Sequence, residues 1–180
     1  IYFLALGLVN PVAYAATRIQ TIVLAYPPKS KHDRQTLRFS LVAGICLGLI
    51  PLLFILPGII EIYYVKLQNL PPGDLPLVRI TALALVFLPL SVAIRAQSEG
   101  LSAWFKKPMT VLAGHAFFMG IIVFSGFILL LLGAPGYLIG AVGLTLGSLA
   151  SSATMRVFLG RAKEKPIPVG QTTTSIGQIR

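Results

Sequence analysis

The chain has 180 residues, 56% of them hydrophobic and 11% charged, with a formal net charge of +10 and a mean hydropathy of +0.84. A soluble domain carries about 25% charged residues, and here the charges are also clustered, with none between Arg38 and Glu61 or between Lys107 and Arg156. These gaps exclude an ordinary soluble domain and call for lipid; the hydrophobicity excludes disorder, and a single Cys46 excludes a disulfide framework.

A helix that crosses the bilayer needs about 20 mainly apolar residues. Five segments meet that need, Tyr2 to Leu24, Phe39 to Ile60, Leu75 to Ile94, Met109 to Leu132 and Gly136 to Leu159, which predicts an all-α membrane protein with a helical bundle over 1–160 and a tail over 161–180. The chain opens inside an apolar segment at Ile1 without a basic leader, so it reads as the C-terminal part of a longer protein rather than as one with a signal peptide.

The first span has a polar face. Asn10, Tyr14, Thr17, Arg18 and Thr21 fall at i, i+4, i+7, i+8 and i+11, a sector of roughly 100° on a helix. An Arg within a span costs about 2.5–3.5 kcal/mol on insertion scales and usually faces a bundle interior or a water-filled cavity. The competing reading is that Arg18 snorkels to the nearer headgroups. Pro11 withdraws one backbone donor near the middle of this span, and Pro51, Pro57 and Pro89 interrupt others. Helices broken at mid-depth are a feature of transporter binding sites, so the prolines point to transport.

The second span carries Ser40, Gly44 and Gly48 at four-residue steps, a stripe of small residues that lets another helix approach closely. Tyr63 and Tyr64 mark the interface beyond it. The segment from Leu70 to Pro76, with Pro71, Pro72, Gly73, Asp74 and Pro76, is predicted to be an extracellular loop that holds no helix.

Where the third span leaves the membrane, Arg95 and Glu99 form an i, i+4 pair that reads first as a local ion pair. Trp104 and Phe105 precede Lys106 and Lys107, as in a short amphipathic piece at headgroup level. His115 lies about two turns into the fourth span, where it serves either an interhelical hydrogen bond or a proton or substrate role. Gly133, Ala134, Pro135 and Gly136 divide the last two spans by a tight turn. Gly136, Gly140, Gly143, Gly147, Ser151 and Thr154 then give the final helix a second small-residue stripe for packing.

Basic residues are retained on the cytoplasmic side. Lys29, Lys31, Arg34 and Arg38 follow the first span, Arg95, Lys106 and Lys107 follow the third, and Arg156, Arg161, Lys163, Lys165 and Arg180 close the last. The intervening segments hold only Lys66 and Arg79. The chain is therefore expected to begin outside the cell and end in the cytoplasm with a mobile tail, its partners including the bilayer but no nucleic acid. No phosphate-binding glycine loop, zinc-binding His-Glu pair, nucleophile elbow or pair of catalytic carboxylates occurs, so no enzyme, cofactor or metal is expected.

The stretch Val92 to Leu112, VAIRAQSEGLSAWFKKPMTVL, resembles the progressive ankylosis (ANK) family of the multidrug, oligosaccharidyl-lipid and polysaccharide (MOP) exporter superfamily. Arg95-Ala96, Gly100 and Lys106-Lys107 carry the likeness, together with Leu132-Gly133, Gly147 to Leu149 and Ser152 to Met155 in the last span. The resemblance implies a MATE-like transporter of twelve helices in two lobes, this chain being similar to the last five, with the N-terminal lobe of the same polypeptide as its partner. It also implies export of small anions such as pyrophosphate, nucleotides or citrate. Asn10, Tyr14, Thr17, Arg18, Arg95 and His115 are the candidate cavity-lining, substrate-binding residues. The alternatives are a flippase for lipid-linked saccharides and a non-transporting membrane scaffold.

Overall fold

The computed structural model describes residues 1–26 and 34–161. Lys29, Lys31, Lys163, Lys165 and Arg180, which contribute to the predicted orientation, lie outside the described residues, as does the tail from 162 onward. Every regular element among the described residues is helical: α1 (Tyr2–Thr17), α2 (Ile19–Ala25), α3 (Arg34–Leu53), a π-helical segment (Glu61–Leu67), a 3₁₀ turn (Pro72–Asp74), α4 (Leu75–Leu85), α5 (Leu88–Trp104), α6 (Pro108–Leu131) and α7 (Gly136–Arg161).

Among the described residues, four helical stretches are long and apolar enough to cross a membrane: Arg34–Leu53, Pro72–Trp104, Pro108–Leu131 and Gly136–Arg161. Their surfaces are inverted relative to a soluble protein. α6 buries only Thr110, Gly114 and Ser125, while Leu112, Phe117, Met119, Val123, Phe127 and Leu130 are exposed. α3 likewise buries Ser40, Gly44, Gly48 and Pro51 and exposes Val42, Ile45, Leu49 and Leu53. Exposed apolar area on this scale is tolerated only against another apolar phase. The chain fits a multi-pass membrane protein.

α5 is the hub, packed against α1, α2, α3 and α7. Small residues set its distances to its neighbours. A Cβ at Gly44 would stand 2.9 Å from Ala93 Cβ and 3.0 Å from Leu90 Cα, and one at Gly100 would stand 2.9 Å from Val23 Cβ and 3.1 Å from the Gln20 carbonyl. The stripe of α7 serves two partners: Gly140 lies under the Tyr2 ring and Gly147 against Phe118 and Ile122 of α6. Apolar contacts gather in two clusters, one joining Leu8, Tyr64, Val78 and Leu85 and the other joining Ile19, Val23, Ala96 and Leu159.

Several expected boundaries move. The first span is interrupted at Arg18 and not at Pro11, through which α1 runs unbroken. The cause is local: the Thr17 hydroxyl donates to the Tyr14 carbonyl at 2.6 Å, while the Arg18 N–H turns to the Ala15 carbonyl at 3.1 Å, the tightening expected where a Thr bonds back to its own helix. The second span is shifted toward the N-terminus and ends at Leu53 instead of Ile60, because successive i to i−3 bonds from Phe54, Ile55 and Leu56 close the helix and Gly58, at φ +84°, turns the chain. Pro51 stands inside α3. The segment from Leu70 to Pro76 does contain helix, the 3₁₀ turn and the start of α4, since a proline in a first turn removes only an N–H that has no helical partner. The third span reaches Trp104, with its irregular step at Val86 and Phe87 just ahead of Pro89, so Trp104 ends a long helix and is not part of a separate amphipathic piece.

The last two helices begin and end within two residues of the predicted limits. Gly133, at φ +71°, donates to Leu130 O, and Ala134 donates to Leu129 O, the paired bonds of a Schellman cap. The same pair recurs after α5, from Lys106 to Ala103 O and from Lys107 to Ser102 O, with Lys106 itself at φ 52°.

Candidate functional site

The candidate residues fall into two groups. Asn10, Tyr14, Thr17, Arg18 and Thr21 are all exposed, and they share the face of α1 and α2 opposite the buried Leu8, Val9, Ala13, Ala16 and Ile19. Among the described residues Arg18 is held by Tyr14: its Nη2 donates to the Tyr14 hydroxyl at 3.3 Å, and its guanidinium carbon lies 5.3 Å from the Tyr14 ring centroid. Among the described residues no carboxylate pairs with Arg18. A guanidinium with five donors and one neutral partner has capacity for an anion.

Arg95 and His115 form the second group, and here the structure joins what the sequence leaves separate. Arg95 Nε donates to Glu99 Oε1 at 2.8 Å, so the local ion pair forms. Its other end reaches across to α6, with Nη2 3.0 Å from His115 Nδ1 and the guanidinium carbon 4.4 Å from the Phe118 ring centroid. A guanidinium only donates, so this contact is a hydrogen bond when Nδ1 is the lone-pair nitrogen and the neutral ring carries its proton on Nε2. That nitrogen stands 3.9 Å from Glu99 Oε1, beyond hydrogen-bond length but close enough for charge to act. Glu99 and Arg95 are largely covered, with side chains 16% and 20% exposed, whereas His115 is 48% exposed. Among the described residues no hydrogen bond or ion pair links this cluster to Arg18.

A third polar group escapes the sequence reading. Arg156, counted there only as an orienting charge, donates from Nη2 to Gln97 Oε1 at 2.8 Å and from Nε to Ser98 Oγ at 3.2 Å. Gln97 Nε2 in turn donates to Thr36 Oγ1 at 3.2 Å, so one chain of bonds ties α7, α5 and α3. The available signal is the four-residue spacing of Ser148, Ser152 and Arg156, which puts a cation on a polar face of α7. Phe118 has a similar signal, three residues after His115 and on the same face.

Among the described residues no group of three or more His, Cys, Asp or Glu side chains could hold a metal ion. Family models, curated proteins and solved structures were all compared with the chain, and none matches.

Proposed function

We propose that the chain forms part of a membrane transporter that exports small anions by alternating access, as its likeness to the ANK family implies. The observation that carries the reading is the outward polar strip of α1 and α2. A helix of a membrane bundle that exposes Asn10, Tyr14, Thr17, Arg18 and Thr21 cannot turn that face to lipid, so the face borders water or further protein. Taken through the single step at Arg18, α1 and α2 span residues 2–25, about 36 Å of helix, and serve as a fifth crossing. Its irregular point coincides with its only cation, the arrangement in which a broken transporter helix meets substrate.

In this reading the bundle is part of the second lobe of a MATE-like protein, the strip faces the cavity between lobes, and the chain ends in the cytoplasm. A carrier of lipid-linked saccharides needs an apolar path open to the bilayer; the polarity of the strip favours a small hydrophilic anion. The test is uptake of labelled citrate and pyrophosphate into proteoliposomes by wild type and by Arg18→Glu. Charge reversal is expected to lower flux at least tenfold with insertion unchanged, and equal flux from a well-inserted variant removes Arg18 from the path.

A further inference from the structure

Arg95, Glu99 and His115 form one hydrogen-bonded and charged cluster between α5 and α6. With His115 neutral, Arg95 Nε serves Glu99, Arg95 Nη2 serves the His115 Nδ1 lone pair, and the charges of carboxylate and guanidinium cancel. Protonation of the imidazole places a hydrogen on Nδ1, which can then no longer accept. The Arg95 to His115 bond must break, two facing donors replace one bond, and the net charge of the cluster rises from zero to +1. From α5 the groups that face His115 are Arg95 and Glu99. From α7, the other helix packed on α6, no titratable group among the described residues pairs with it, and Arg156 is engaged with Gln97 and Ser98.

We infer that Arg95 and His115 together bind an oxyanion, a carboxylate or phosphate, only when His115 is protonated, so that one proton enters the site with each bound anion. This rests on the anion-transport reading and supplies its coupling ion. Two converging N–H donors of like charge suit one oxyanion, Glu99 keeps them from separating, and the half-exposed imidazole is open to both proton and ligand.

The experiment is an NMR titration of the whole chain, labelled in its histidine rings, in phosphatidylcholine nanodiscs, with His32→Gln used to assign the two resonance sets. At about pH 8 the ring nitrogen shifts are expected to place the neutral proton on Nε2. Saturating citrate or inorganic phosphate is expected to raise the His115 titration midpoint by about one pH unit for each tenfold preference for the protonated form. A third arm replaces the soluble anion by phosphatidylglycerol in the disc; movement in that arm alone makes a headgroup phosphate the ligand. In Arg95→Gln the anion-dependent movement is expected to vanish while His115 still titrates. A proton on Nδ1 in the neutral ring, or one unmoved midpoint in all arms, overturns the site, and wild type alone decides this if the variant does not fold. An unmoved midpoint beside anion flux in proteoliposomes sinks this inference and leaves transport standing; a moved midpoint without flux does the reverse.

Discussion

Tyr64 is the largest side chain that the described fold buries completely, and among the described residues its hydroxyl has no hydrogen-bond partner. A buried donor left unmatched costs about 1–3 kcal/mol, so Tyr64→Phe is expected to raise stability by about 1 kcal/mol in thermal unfolding of the detergent-solubilised chain near neutral pH. Burial first, and the neighbouring Tyr63 second, push the phenol from 10.0 up to about 12. The folded state therefore keeps its proton where the unfolded chain has lost it. Stability from this source is complete below about pH 10 and declines as pH rises toward about 12. Wild type is expected to lose stability across that window more steeply than Tyr64→Phe; parallel curves would contradict the assignment. The aromatic pair at 63 and 64 is legible as an interface marker, but its orphaned hydroxyl is not, because orphanhood depends on what α1 and α4 bring to the other side.

Helix pairing tests the small residues one by one. Gly100 sits where an added methyl meets Val23 and the Gln20 backbone, so Gly100→Ala is expected to push α5 from α2 and cost about 1–3 kcal/mol. Gly7, inside α1 with no neighbour within 4 Å of a built Cβ, is the control: Gly7→Ala is expected to stabilise by about 0.5–1 kcal/mol through helix propensity alone. Equal effects in denaturation assays would mean that the α2–α5 contact is not tight. The stripes of α3 and α7 were readable because helical period and residue size suffice to draw them. The end of α3 was not, since Phe54 to Ile60 stay apolar after the helix stops and hydropathy continues across a turn. Nor was the Arg156 network, whose three helices must be rotated into register before Gln97 and Thr36 can be seen to meet it.

At the scale of the molecule the expected orientation can be read with cysteines, because Cys46 is the single native thiol. In a Cys46→Ala background, Lys66→Cys is expected to react with a membrane-impermeant maleimide on intact cells, and Arg161→Cys only after permeabilisation. The opposite pattern would invert the bundle. Both positions are exposed, so reactivity reports sidedness and not burial.

The stretch Pro72–Trp104 is 33 residues long, roughly 50 Å of helix, against a hydrocarbon layer of roughly 30 Å. Counted from Leu75, about twenty residues fill that layer, and the surplus carries Arg95, Gln97, Ser98 and Glu99 past it. On that count the polar end of α5 reaches beyond the lipid, and its length spares Arg95 and Glu99 the cost of a charge at mid-depth.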